Sequence, residues 1–148
     1  MSEASRLYWD WMGMSNFDDV GRFHEKFGLH SVTTHGAGPV DKYDTDDLIE
    51  FRVDFMREEL NEFIEAADLK DDAGMFDALI DLVYVAMGTA HLLGFPWHEG
   101  WREVQRTNML KERATSQDMS KRRSEFDVVK PEGWTPPQLE EILAEHGF

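Results

Sequence analysis

Five carboxylate side chains in the middle of the chain have spacings that could hold a metal ion. Glu58, Glu59 and Glu62 lie close together in one segment, and Asp77 and Asp81 stand four residues apart in the next. Residues three or four apart share one face of a helix, so each segment presents its carboxylates as a row. The chain has no cysteine and no suitably spaced histidine. These hard oxygen donors therefore favour Mg²⁺ or Mn²⁺ over zinc.

Asp81 lies in the most apolar stretch of the chain. Residues 78–90 are apolar on nearly every side and include no Lys or Arg, so this helix is predicted to lie in the core and to bury Asp81. An unpaired buried carboxylate costs several kcal/mol. A tight turn between two antiparallel helices would bring Glu59 and Glu62 opposite Asp77 and Asp81. A cation shared by the four side chains would then compensate their charge.

Two other interpretations of the carboxylates are open at this point. They could form a solvated acidic face with ordinary helix pairs, since acidic residues are common on exposed helix surfaces. They could also belong to a di-iron bundle, which would require Glu-x-x-His on two helices. None of the six histidines has a glutamate three residues before it, so the di-iron interpretation is weak.

The charge of the chain is large and unevenly distributed. The formal net charge is -15, which repels the backbone of DNA or RNA and anionic lipid, so the sequence predicts neither a nucleic acid nor a membrane as partner. Residues 41–82 carry fifteen acids and four bases, whereas residues 102–123 carry seven bases and three acids. A metal held by carboxylates, with cationic donors elsewhere, is what a polyphosphate ligand requires.

The elements that must position these side chains are helices. Apolar residues recur at three- and four-residue spacing, and strand-like alternation is confined to a short segment at residues 126–129. The sequence predicts one all-α domain over residues 1–148, with a four-helix-bundle-like core and a short C-terminal helix that starts at a capping box. Residues 31–43 and 115–125 are predicted to be irregular. The predicted helices span residues 15–28, 44–69, 73–94, 96–114 and 135–147.

Several short motifs occur together along the chain. Glu59-Leu-Asn-Glu62 has the form Glu-x-x-Glu, and Ala78-Leu-Ile-Asp81 follows it; further motifs lie at residues 23–28, 81–90, 106–111 and 130–139. In this combination the chain resembles the MazG-like all-α nucleoside triphosphate pyrophosphohydrolases, most closely the branch related to phosphoribosyl-ATP pyrophosphohydrolase. The second motif of that family is Glu-x-x-Asp. Its glutamate is missing at position 78, and Asp77 is expected to take its place.

The resemblance implies Mg²⁺-dependent hydrolysis of a ribo- or deoxyribonucleoside triphosphate to the monophosphate and pyrophosphate. Mn²⁺ is an alternative metal. Carboxylate-held Mg²⁺ would lower the pKa of a bound water that attacks the α-phosphorus. The expected metal ligands are Glu59, Glu62, Asp77 and Asp81. Glu58 is the spare carboxylate expected to orient or deprotonate the water.

The phosphates and the base would need further contacts. Asn108 and Lys111, three residues apart on one helix face, are expected to hold the phosphates, with Lys26 as a further contact. Aromatic side chains could stack on a base, although aromatics at helical spacing more often belong to the core. The candidates are Trp9, Trp11, Phe17, Phe23, Tyr84 and Trp97.

The apolar surface of the helices also bears on assembly and location. A helical pair with this much apolar surface is expected to complete its core in a homodimer or homotetramer. The N-terminus has no uninterrupted apolar segment, so no signal peptide is predicted and the expected location is cytoplasmic. The alternative to an enzyme is a helical interaction module whose acidic face binds a basic partner.

Overall fold

The computed structural model describes residues 14–29 and 45–148. The predicted loop at residues 31–43, together with Trp9 and Trp11, lies outside them. The described part is mainly helical and contains only two strands, of two residues each, which confirms the all-α class. Its elements are α1 (Asn16–Lys26), α2 (Thr45–Leu69), α3 (Asp72–Leu92), α4 (Trp97–Asn108), β1 (Glu112–Arg113), β2 (Val128–Val129) and α5 (Leu139–Glu145).

The described residues form two compact units that divide after residue 95. In the first unit α2 and α3 form a helical hairpin. The N-cap of α3 is Asp71, whose side chain accepts a hydrogen bond from the backbone N–H of Gly74 at 3.1 Å. Arg52, near the start of α2, contacts Val85 near the end of α3, so the two helices run antiparallel as predicted.

The helix α1 packs against α3 in the same unit. It begins with a capping box, in which the Ser15 and Asp18 side chains each accept a hydrogen bond from the other residue's backbone N–H. The buried side chains of α1 are Val20 and His24, four residues apart and therefore on one face. This face packs against the C-terminal half of α3, where the His24 side chain lies beside Gly88.

The seam between α2 and α3 is built from residues seven apart. The buried positions of α2 are Arg52, Glu59 and Ala66, and those of α3 with the same spacing are Ala78, Val85 and Leu92. Seven residues are close to two helical turns, so each set follows one line along its helix. Two of the three buried α2 residues carry ionisable groups, which makes this seam unusually polar.

The predicted burial of Asp81 is wrong, because Asp81 is exposed in the structure. α3 is apolar on nearly every side, but α1 and α2 cover only part of it. The uncovered part includes four apolar side chains that are 46–68% exposed, namely Phe76, Leu79, Ile80 and Val83. An apolar surrounding in the sequence therefore does not show which side of the helix is covered.

The length and composition of α3 would also suit a membrane-spanning helix. The central helix of a soluble bundle satisfies the same two criteria. Asp77 and Asp81 interrupt the apolar surface of α3, and a carboxylate inside a bilayer is costly. α3 also packs against two other helices of its unit. These features favour a core helix of a bundle.

The second unit contains α4, the small sheet and α5. The predicted helix over 96–114 is too long, since α4 ends at Asn108. The following residues pair instead with a later strand: Glu112 lies opposite Val129, and Arg113 opposite Val128. Pairing with a distant strand does not change the local spacing of apolar residues. The end of α4 therefore cannot be predicted from that spacing and is known only from the structure.

The segment between the two strands is a loop that contains a short 3₁₀ helix at Gln117–Met119. Asp127 holds it together, because its carboxylate accepts hydrogen bonds from the side chains of Ser120 and Arg122. These bonds, with one from the backbone N–H of Val128, lower the pKa of Asp127. Ser120 is buried in this segment.

The helix α5 begins at Leu139, four residues later than predicted, and its N-terminal residue has no side-chain cap. Its start is held by α4, since Glu103 accepts a hydrogen bond from the backbone N–H of Gln138. Glu103 also pairs with Arg106, and chiefly this bond lowers the pKa of Glu103 to about 2. At the other end of α5, His146 contacts Glu99 of α4.

Candidate active site

Glu59 is the buried member of the predicted carboxylate group. It is 7% exposed, and its Oε2 atom has no hydrogen-bond partner in the structure. Burial raises the pKa of Glu59, and the negative charges of Glu62, Asp81, Glu58 and Asp77 raise it further, in that order. The other four carboxylates that the sequence singled out therefore lie close enough to Glu59 to repel its charge.

The four carboxylates around Glu59 differ from it in their contact with water. Glu58, Glu62, Asp77 and Asp81 are all exposed and keep most of their hydration. None of the five carboxylates forms an ion pair with a side chain in residues 14–29 or 45–148. The cluster thus consists of one buried carboxylate at the α2–α3 seam and four exposed ones. Among the described residues, no cationic side chain is paired with any of the five.

The chemistry of this cluster fits a hard divalent cation. Its donors are carboxylate oxygens, and Glu59 Oε2 has lost water without gaining a hydrogen bond, which is a costly arrangement that a bound cation would relieve. Among the described residues no group of three His, Asp or Glu side chains is arranged as a metal site requires. Glu58 and Glu62 also line a shallow depression of about 460 Å³ along α2.

Arg52 is a buried cation that the sequence reasoning missed. Its guanidinium donates hydrogen bonds to the Val85 carbonyl oxygen at 2.8 Å and to Thr89 Oγ1 at 3.0 Å, and burial lowers its pKa. It lies seven residues before Glu59, which is about 10 Å along the same seam. Arg52 could have been found from the sequence, because it stands seven residues before Glu59 and therefore on the same face of α2.

His24 lies beside Arg52 in the same packed region. It is 3% exposed, its Nδ1 has no hydrogen-bond partner, and its ring centroid is 5.0 Å from that of His91. Burial, followed by the charges of His91 and Arg52, lowers the pKa of His24 to about 4. A Cβ at Gly88 would be 2.9 Å from His24 Nε2 and 3.0 Å from Arg52 Nη2, so this approach requires glycine.

The aromatic candidates for base stacking pack against other rings. Phe23 meets Tyr84 edge-on at 5.5 Å, and Phe17 meets His91 at 6.0 Å, so these rings join α1 to α3. Trp97 stacks on Trp101 within the second unit. Tyr84 also lines a groove of about 500 Å³ between α1 and α3, with Asn16 and Asp19 at its polar edge and an apolar floor from α3.

Of the predicted phosphate-binding residues, the structure brings Asn108 and Lys111 together in the second unit. Lys111 Nζ donates a hydrogen bond to Asn108 Oδ1 at 2.8 Å, just beyond the end of α4. Lys26 lies in the first unit, at the exposed end of α1, with its ammonium 5.3 Å from the Phe27 ring centroid. Asn108 and Lys111 therefore belong to the second unit and Lys26 to the first.

Comparison with known proteins places this all-α chain in the MazG-like superfamily of pyrophosphohydrolases. The family model described as phosphoribosyl-ATP pyrophosphohydrolase matches residues 20–108, which is more than half of the chain. The chain belongs to this family and is a pyrophosphohydrolase that acts on nucleotides. No curated protein matches the chain closely.

Proposed function

We propose that the chain hydrolyses nucleoside triphosphates, ribo- or deoxyribo-, to the nucleoside monophosphate and pyrophosphate. The observation that supports this most directly is the orphaned Glu59 carboxylate, buried beside four other carboxylates within a family of pyrophosphohydrolases. The proposed cofactor is Mg²⁺, with Mn²⁺ as an alternative. The ligands would be Glu59, Glu62, Asp77 and Asp81.

Each residue of the cluster has a distinct part in the proposed reaction. Bound Mg²⁺ would neutralise phosphate charge and lower the pKa of a water molecule. Glu58, exposed and next to Glu59, accepts the proton of the water whose oxygen bonds to the α-phosphorus. The bond from that phosphorus to the bridging oxygen breaks, and the oxygen leaves with the β-phosphate as pyrophosphate. Asn108 and Lys111 are proposed to bind the phosphates, with Lys26 as a further contact.

We also propose that the chain self-associates and that it acts in the cytoplasm. Phe76, Leu79, Ile80 and Val83 form a continuous exposed apolar strip on α3, because they are spaced three and four residues apart. Exposed apolar strips of this kind mark interaction sites. We propose that a second copy of the chain covers the strip in a homodimer or homotetramer. Light scattering of the wild type and of an Ile80→Glu variant tests this, and a monomeric wild type would contradict it.

The experiment that tests the activity is pyrophosphate release from a panel of nucleotides, with Mg²⁺, with Mn²⁺ and with chelator. The panel contains the common ribo- and deoxyribonucleoside triphosphates and phosphoribosyl-ATP, the substrate in the description of the family. We expect release from at least one nucleoside triphosphate and none with chelator. Turnover of phosphoribosyl-ATP alone would contradict the proposed substrate class. Turnover that survives chelation would contradict the proposed cofactor.

A further inference from the structure

The small sheet of the second unit has a lysine next to each of its strands, at the same end. Glu112 pairs with Val129 and Arg113 with Val128, so Lys111 and Lys130 directly flank the Glu112–Val129 pair. Like charges that lie near each other across antiparallel strands are destabilising. An arrangement that tolerates this repulsion needs a compensating contact.

That contact is the indole ring of Trp134. Lys111 Nζ lies 5.5 Å and Lys130 Nζ 4.3 Å from the ring centroid, within the range of a cation–π interaction. The indole Nε1–H donates a hydrogen bond to the Thr107 carbonyl oxygen at 2.8 Å. Thr107 is buried in the last turn of α4. Trp134 is therefore anchored to α4 and stabilises both ammonium groups without neutralising them.

The two lysines differ from three arginines of the same unit. Arg106, Arg122 and Arg123 each lie within ion-pair distance of a carboxylate. In the part of the chain that the structure describes, neither Lys111 nor Lys130 has such a partner, and the polar contact of Lys111 is a neutral amide. Two ammonium groups against one indole ring, without a carboxylate partner in a chain of net charge -15, have the charge that recognition of a polyanion requires.

We infer that Lys130 is a further phosphate-binding residue and that Trp134 is the positioning residue that joins Lys111 and Lys130 into one cluster. This inference rests on the proposed function for the identity of its ligand, the triphosphate chain of the nucleotide. Lys130 is nineteen residues from Lys111 in the chain, and only the fold shows that both lie against Trp134.

The first test is the binding of inorganic tripolyphosphate, measured by calorimetry with the full chain and without Mg²⁺. Lys130→Met should weaken binding at least about tenfold, the effect of losing one charge-assisted contact. The matched control is Lys121→Met, which removes an exposed lysine of the same basic segment and should leave affinity unchanged. Equal affinities for the wild type and Lys130→Met would overturn the inference.

The second test separates positioning by Trp134 from general stabilisation. Trp134→Phe keeps an aromatic face but loses the bond to Thr107, whereas Trp134→Leu loses both. Affinity for tripolyphosphate should therefore fall in the order wild type, Phe, Leu. In the NMR spectrum, the ring should shift the ε-methylene signals of both lysines upfield in the wild type and not in Trp134→Leu. A folded Trp134→Leu protein with unchanged lysine signals and affinity would refute the positioning role.

These outcomes are distinguishable from a failure of the proposed function. Tripolyphosphate binding that depends on Lys130, in a protein that hydrolyses no nucleoside triphosphate, would refute the proposed activity and leave the anion cluster supported. Hydrolysis with tripolyphosphate binding that is insensitive to both Lys130 and Trp134 would refute the cluster alone. If Trp134→Leu does not fold, Lys130→Met decides the question by itself.

Discussion

Glu59→Gln is expected to stabilise the metal-free protein while abolishing turnover. Glu59 is 7% exposed, has an unpartnered oxygen, and is repelled by four neighbouring carboxylates. A glutamine has no charge, and its amide can donate a hydrogen bond to a neighbouring carboxylate. An unsatisfied buried group costs about 1–3 kcal/mol. Recovering about 1–2 kcal/mol would raise the Tm by about 2–8 °C for a chain of this size.

The sign of the pH dependence follows from the raised pKa of Glu59. Stability from such a group is present at low pH and lost as the pH rises through its folded-state pKa. The difference in Tm between Glu59→Gln and the wild type should therefore be largest at neutral pH. It should shrink as the pH is lowered to about 4, the ordinary range of a glutamate.

The assay is a thermal melt in the presence of chelator, beside steady-state kinetics with Mg²⁺. Asp81→Asn is the matched control, because Asp81 belongs to the same cluster but is exposed. Its free energy of unfolding without metal should stay within about 0.5 kcal/mol of the wild type, although its activity should be lost. A Glu59→Gln protein that melts at or below the wild-type temperature, or that is folded and fully active, would refute the reasoning.

Three further expectations concern the first unit and one glycine of α4. Mg²⁺ should raise the Tm of the wild type, and the double change Glu59→Gln, Glu62→Gln should erase that gain; a surviving response would place the metal elsewhere. Because the pKa of His24 is lowered to about 4, its contribution to stability should fall by up to about 3 kcal/mol as the pH drops from about 6.5 to about 4. Urea titrations should show a shallower acid loss for His24→Gln, and identical pH profiles would contradict this. Gly88→Ala should be destabilising by up to about 2 kcal/mol, since a contact at 2.9 Å outweighs the gain in helix propensity. Gly100→Ala, with only an ordinary contact at 3.8 Å, should be stabilising by up to about 1 kcal/mol, and melts that shift in the same direction for both would contradict the steric reasoning.

The sequence by itself determined the helices and the rows of carboxylates on them. The bounds of α2 and α3 agree with prediction within a few residues, because caps, turns and apolar period are local features. The clustering of Glu59 with Asp77 and Asp81 was also predictable, since a tight turn between long helices leaves one antiparallel arrangement. The family of the protein follows from the same motifs.

Only the tertiary structure decided which carboxylate is buried. The residues around Asp81 are more apolar than those around Glu59, yet Asp81 is exposed and Glu59 is not. Burial depends on which side of a helix its neighbours cover, and a helix that is apolar all round gives no preferred side. The contact of Arg52 with the end of α3 was hidden for the same reason, since it joins residues more than thirty positions apart.

The end of α4 and the contacts of Lys111 and Lys130 with Trp134 were likewise decided by the fold. Residues 109–113 have no helix breaker, and the sequence therefore predicted a longer helix. The helix stops because Glu112 and Arg113 gain backbone hydrogen-bond partners in a strand fifteen or more residues away. Pairing between strands depends on a long-range register, whereas helical hydrogen bonds join residues four apart, and only the latter can be anticipated from local sequence.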